Sequence, residues 1–325
     1  MSRFDTPRSS AVRTVAAIAA LGLAACNGGS DLDPQADPAE VIELPDAEAF
    51  PEGVAIADDG TLFTGSLTSG RIYMARAGAE RAELFADAGD GALGLLIDEA
   101  RSLLWACASN PFVGSPPAIV GFDLASGEEA VRHGFPDDTG LCNDLALSDD
   151  GDLYATDSLA HRIIRVDAGE ARRPDSARTW LADPAFVVPE GTFGLNGVVF
   201  DGDTLYTVTY ETGALFAIDV SAAGDPGPVR ALELDRPLSA GDGLKREAAG
   251  RLLVVEGGAG ALTRLVLDGE RAIIEPVLTG LDSPTTVALH GGWAWIPISQ
   301  FDHLFGFDPA PAEDRFFVMG HPLGE

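Results

Sequence analysis

Short apolar runs, many with every second residue polar, are separated along most of the chain by turns rich in Asp, Asn and Gly. Leu153, Ala155 and Asp157 fall on one face of such a run and Tyr154 and Thr156 on the other, the alternation that a β-strand imposes. No long window carries the helical period of apolar residues. The Asp-Asp-Gly turns at 58–60 and 149–151 suit tight hairpins, because Gly tolerates positive φ. The pattern predicts an all-β protein.

The runs themselves repeat. The unit is an apolar strand, an Asp- or Gly-containing turn, a second strand, a turn of small residues and a third strand. It starts at Glu52, Leu93, Asn143, Asn196, Asp242 and Thr285, at intervals of 41, 50, 53, 46 and 43 residues. Residues 81–86, 177–182, 229–234 and 272–278, between copies, supply a fourth, outer strand. An interval in the forties is what four short strands and their turns consume, and it matches a propeller blade. The expectation is a single domain over residues 40–325, a six-bladed β-propeller with four-stranded blades. In the last copy the third strand is placed at HLFGFD, beginning at His303. Residues 40–45 (EVIELP) align with the outer strands and would close the ring in the last blade, with residues 316–319 competing for that place.

The N-terminus follows a different pattern. Arg3, Arg8 and Arg13 precede a short apolar stretch from Val15 to Leu23, and Leu23-Ala24-Ala25-Cys26 follows. A run this short predicts a signal peptide over residues 1–25 rather than a spanning helix. The small residues before Cys26 resemble a bacterial lipobox, which implies cleavage before Cys26 and lipidation of its thiol. An ordinary signal peptide with an incidental Cys is the alternative. Residues 26–39 then form the lipidated Cys and a polar, flexible linker. Asn27 in place of Asp leans the expected location towards the outer membrane, on the periplasmic side of the cell envelope, with the membrane met only through the lipid anchor. A monomer is expected.

Charge narrows the function. The 325 residues carry 21 Lys+Arg against 51 Asp+Glu, a formal net charge of -30. Loss of residues 1–25 removes three Arg and Asp5, leaving 18 basic and 50 acidic residues, or -32. Such a field excludes nucleic-acid binding, which needs a cationic surface. Hydrophobic residues make up 46% of the chain, too many for a disordered acidic tail. Lys245 is the only lysine.

The six repeat starts share one height around the central channel of a propeller, and four of them are oxygen donors: Glu52, Asn143, Asn196 and Asp242. Each precedes a run that must be buried, and an unpaired polar group there is costly. A hard cation such as Ca²⁺ satisfies them, since it takes about 6–8 oxygen ligands from carboxylates, amides and water. The two carboxylates neutralise one divalent ion. No His or Cys stands at this height, which disfavours Zn²⁺ or Cu²⁺. The competing explanation is that Asn and Asp merely form turns before strands.

The ordered motifs FPEG (50–53), CND (142–144), LNG (195–197) and GDGL (241–244) resemble those of the senescence marker protein, gluconolactonase and regucalcin family, over about residues 40–310. That resemblance implies a six-bladed propeller with a central divalent metal, held by Glu52, Asn196 and Asp242, with Asn143 at the metal and in contact with substrate. It also implies hydrolysis of lactones or related esters. The sequence departs from the family at Leu141, where sugar lactonases carry Arg. A paraoxonase-like His dyad is absent as well. These departures weigh against gluconolactone itself and keep a non-catalytic envelope propeller with a structural calcium as the alternative.

Asp242, touching both metal and open channel, is the candidate catalytic base. Asp157, Tyr210, Glu256 and His303 are placed at the channel mouth as candidate substrate contacts beside Asn143. Cys107 and Cys142 lie at one height on adjacent blades and either pair or remain free thiols. The acidic shell favours a neutral small-molecule lactone or ester as partner.

Overall fold

The computed structural model describes residues 40–313 and 315–324, so the expected signal peptide, Cys26 and the linker lie outside the described residues. Six antiparallel sheets follow one another around a ring. Blade 1 contains Pro51–Ile56, Leu62–Ser66, Arg71–Ala75 and Glu83–Asp87, and blade 2 contains Ala92–Asp98, Leu103–Ala108, Ala118–Asp123 and Glu129–Gly134. Blade 3 contains Cys142–Leu147, Leu153–Asp157, Arg162–Val166 and Arg178–Ala182. Blade 4 contains Leu195–Asp201, Thr204–Thr209, Leu215–Asp219 and Arg230–Ala231. Blade 5 is built from Gly241–Ala248, Arg251–Glu256, Ala261–Asp268 and Arg271–Thr279. The expected outer strand at 229–234 is divided: Arg230–Ala231 pairs within blade 4, while Glu233–Leu234 crosses to run parallel to Arg271 and Ala272, giving blade 5 a fifth strand.

Blade 6 closes the ring with both chain ends. Its order is Ala288–His290, Trp293–Ile298, Phe317–Pro322 and Glu40–Glu43. The two segments expected to compete are therefore both used, Phe317–Pro322 as third strand and Glu40–Glu43 as outer strand. The third strand expected at His303 is corrected: Phe301–Leu304 is a single helical turn inside a loop. Phe301, Leu304 and Phe305 lie three and four residues apart, the spacing that places apolar side chains on one helical face. Their apolar surface is satisfied by packing rather than by a strand: Phe301 and Leu304 rest against the core of blades 1 to 3, which includes Leu67, Leu93 and Leu141.

The interior is a series of apolar layers between neighbouring blades, with Trp105, Tyr73, Tyr154 and Phe63 among its fully buried side chains. At the axis, glycine sets the spacing. Gly53, Gly94, Gly197 and Gly243 directly follow the repeat starts of their copies, and a Cβ on any of them would collide with the next copy around the axis. The colliding atoms include the carbonyl oxygens of Leu93, Asn143 and Asp242, whose residues hold the repeat-start position. Side-chain hydroxyls tie neighbouring blades together. Thr156 Oγ1 donates to the Asn196 carbonyl at 2.7 Å, and Thr285 Oγ1 donates to the Glu52 carbonyl at 2.6 Å across the ring closure. Gly197→Ala is therefore expected to cost about 2–3 kcal/mol by overpacking. Thermal unfolding would check this, and an unchanged melting temperature would contradict the close-approach account.

A disulfide joins Cys107 of blade 2 to Cys142 of blade 3, with Cα atoms 5.1 Å apart. It resolves the two alternatives for these cysteines in favour of pairing, and it fixes two adjacent blades at the height of Asn143.

Candidate metal centre

Glu52, Asn143, Asn196 and Asp242 come from blades 1, 3, 4 and 5 and line one cavity on the axis. Its volume is about 10 Å³, the space of roughly one water or one ion. All four side chains are between 5% and 8% exposed. The other two repeat starts turn away. Leu93 packs in the core, and Thr285 spends its hydroxyl on the Glu52 carbonyl. In their copies it is the following residues, Gly94 and Thr286, that face the cavity.

The cavity gathers buried carboxylates that act on one another. Burial pushes the Glu52 carboxyl well above the ordinary range, and the negative charges of Asp242 and Asp144 push it further, with Lys245 opposing. Burial does the same to Asp242, reinforced by Asp144 and opposed by a hydrogen bond from Asn196. The Asn196 side-chain oxygen is buried and has no hydrogen-bond partner. A buried, unsatisfied amide oxygen is costly unless something accepts its lone pairs. Two carboxylates and two amides, one of them carrying that orphaned oxygen, form a donor set that fits a hard cation such as Ca²⁺. The turn-former explanation leaves the orphaned oxygen unaccounted for.

The remaining expected residues fall in different places. The Tyr210 hydroxyl is pushed up by burial and by the Asp242 and Glu211 carboxylates, but Tyr210 does not line the axial cavity. Its ring stands edge-on to Phe193, 6.3 Å between centroids. Asp157 and Glu256, expected at the mouth as substrate contacts, are fully buried and committed to internal partners. Asp157 accepts hydrogen bonds from the backbone N–H groups of Leu141 at 2.9 Å and Ala160 at 3.0 Å, and from Arg162 Nε at 2.9 Å. Glu256 is held by both terminal nitrogens of Arg236 at 2.6 and 2.8 Å, by the Ser239 N–H at 2.7 Å and by Thr263 Oγ1 at 2.6 Å. Asp157 fastens the turn at the end of the second strand of its blade, while Glu256 ties the loop before its inner strand to the third strand. His303 sits on the helical turn, its Nδ1 2.9 Å from the Ala310 carbonyl oxygen. Asp302, His303 and Asp308 bring one ligand atom each within 4.8 Å of one another. All three side chains, however, already bond to backbone groups of their own loop. The central cavity, with its amide donors, is the better-formed cation site.

Two residues of the cavity went unnoticed in the sequence. Asp144 and Thr286 line it at the position directly after the repeat start, where the other four copies have Gly. That departure was the available signal. Lys245 then reaches Asp144 with its ammonium group at 3.3 and 3.4 Å from the two carboxylate oxygens. The face carrying the cavity is rimmed by aromatic groups, Phe305 of the blade 6 loop lying 5.6 Å from Phe112 of the blade 2 loop between ring centroids. Leu141, at the position of the missing Arg, is buried in the core.

Comparison with known proteins agrees with this architecture. The family model described as "Strictosidine synthase-like, N-terminal" matches residues 37–75, which contain Glu52 and the first three strands of blade 1. No curated protein matches the chain. Among solved structures, a gluconolactonase from Xanthomonas campestris is 17% identical with a TM-score of 0.61, covering 89% of this chain and 96% of that one. A luciferin-regenerating enzyme is 12% identical with a TM-score of 0.64, covering 86% of this chain and 94% of that one. Virginiamycin B lyase from Staphylococcus aureus, solved with quinupristin, is 14% identical with a TM-score of 0.58, covering 85% and 82%. At these identities the likeness establishes the fold.

Proposed function

We propose that this propeller is a hydrolase of a neutral lactone or related ester, dependent on a hard divalent cation, Ca²⁺ first, held in the axial cavity. The observation that carries the reading is the convergence of Glu52, Asn143, Asn196 and Asp242 on one ion-sized cavity, with the Asn196 oxygen buried and unsatisfied. The similarity to a gluconolactonase supports the reaction class. When bound, a cation there would polarise a substrate carbonyl and stabilise the charge that develops on its oxygen.

The chain's own residues supply the rest. Glu52 and Asn196, on opposite sides of the cavity, act as holding groups. Asn143 presents an amide that orients the substrate oxygen. Asp242 borders the cavity, and its carboxylate would take a proton from an attacking water. The aromatic rim at Phe112, Phe193 and Phe305 excludes water from an entering substrate. With a net charge of -30 around it, that rim suits a neutral, partly apolar ester better than an anion. Lipidation at Cys26 would hold the propeller at the periplasmic side of the envelope. Among the described residues no helix is long and apolar enough to cross a membrane.

A screen of lactones and aryl esters on purified protein tests the reading. Turnover on at least one substrate is expected, lost with chelator and restored by Ca²⁺, together with a Ca²⁺-dependent rise in melting temperature. Saturation at about 100 times Kd corresponds to roughly 2.7 kcal/mol of added stability. Absence of turnover on every substrate, with chelation lowering only the melting temperature, would assign the cation a structural role and the rim a binding one.

A further inference from the structure

The only lysine of the chain is not on the surface with the other charges. Lys245 follows Asp242 by three residues on the inner strand Gly241–Ala248, with a side chain 19% exposed. Its ammonium group meets Asp144, which belongs to blade 3. Blade 4 stands between blades 3 and 5 in the ring, so this contact crosses the channel itself. Asp144 is 4% exposed and lines the cation cavity. Its two oxygens also accept the backbone N–H groups of Leu145 at 2.8 Å and Val198 at 3.3 Å, which fixes the carboxylate in the channel.

The charges around the cavity are then three carboxylates, Glu52, Asp144 and Asp242, and one ammonium group. We propose that Lys245 is a built-in counter-cation that holds this donor cluster at a charge of -2, matching it to one divalent ion and restraining its affinity for that ion. This rests on the reading of the axial cavity as a cation site. It assigns to Lys245 and Asp144 a role in selecting the ion's charge, one that packing alone would not give them. An ammonium group a few ångströms from a bound cation repels it, and in a partly buried site such a charge changes affinity by a factor of ten or more. It also offsets the mutual repulsion of the carboxylates while the cavity is empty of metal.

The test is calorimetric titration of the purified, chelator-treated protein with Ca²⁺ and with La³⁺, alongside the melting temperature of the metal-free form. For Lys245→Met the expected result has two opposite signs. The metal-free protein melts lower, yet Ca²⁺ binds about tenfold tighter or more, and the preference for La³⁺ over Ca²⁺ rises. Lys245→Arg keeps the wild-type affinity within a few fold. The double variant Asp144→Asn with Lys245→Met restores the charge of -2 and returns both affinity and melting temperature towards wild type. A Lys245→Met protein that binds Ca²⁺ unchanged or more weakly overturns the inference, because loss of packing can only loosen the site. Should Lys245→Met fail to fold, a double variant that binds Ca²⁺ tenfold differently from wild type overturns it equally. If wild-type protein binds neither ion, the cavity reading fails first and this inference with it.

Discussion

Asp242→Ala is expected to lower kcat/KM on a substrate of this protein by about three orders of magnitude, the scale on which a positioned acid or base contributes. Asp242 is placed both to hold the cation and to accept a proton, so no neighbour substitutes for it. Asp144 lines the same cavity and acts on Asp242, but it is occupied by Lys245, Leu145 and Val198. The stability effect has the opposite sign. Burial and the charge of Asp144 hold the Asp242 carboxyl well above its ordinary pKa, so the metal-free fold is burdened by it once the pH rises above the ordinary carboxylate range. Asp242→Asn removes the charge while keeping the shape, and its metal-free form is expected to melt higher than wild type near neutral pH. Turnover and metal-free melting temperature, measured on the same preparation, check both signs. An Asp242 variant retaining more than about a tenth of wild-type turnover at saturating Ca²⁺ would remove Asp242 from the chemistry.

Loss of the disulfide is the largest stability effect expected. The bridge closes a loop of 35 residues between blades 2 and 3, and the chain-entropy relation gives about 4 kcal/mol for a loop of that length. In a chain of this size that corresponds to a fall in melting temperature of roughly 8 °C. Cys107→Ala with Cys142→Ala is the suitable variant, because both positions are fully buried among apolar groups. Below its melting point this variant should still hydrolyse substrate within a few fold of wild type, since the cavity is formed by side chains of four blades and the bridge restrains only one of them. A fall of less than about 2 °C would show that the bridge adds little. The bridge also fits the envelope location expected from the N-terminus, because disulfides persist in oxidising compartments.

Much of the fold was legible in the residue pattern. Six strand-turn-strand units at near-constant spacing specify a closed ring of blades, since alternating apolar faces can be buried only against neighbouring copies. The outer strands at 177–182 and 272–278 agree with the observed Arg178–Ala182 and Arg271–Thr279. The last blade was less legible, because its helical turn at Phe301–Leu304 is as apolar as a strand and only the three- and four-residue spacing distinguishes it. The ring closure by Glu40–Glu43 was visible as a strand without a partner, and pairing chose Phe317–Pro322 as that partner.

The site divides in the same way. Equivalent repeat positions stand at equivalent heights around the axis, so Glu52, Asn143, Asn196 and Asp242 could be gathered from the alignment alone, and the structure brings them to one cavity. Identity at a repeat position does not fix where a side chain finds its partners. Asp157 and Glu256 share the position at the end of their second strands, yet each is claimed by an Arg, Arg162 or Arg236, that lies at no fixed offset in the repeat. The Lys245–Asp144 pair, 101 residues apart, exists only because the ring brings the inner strands of blades 3 and 5, on either side of blade 4, together at a narrow channel. Sequence by itself therefore determined most of the strands, the blade count and the height of the donor residues, all of which follow from local periodicity. Tertiary structure alone decided which carboxylates are left for a cation and which are already paired, because that depends on desolvation and on partners brought together from distant blades.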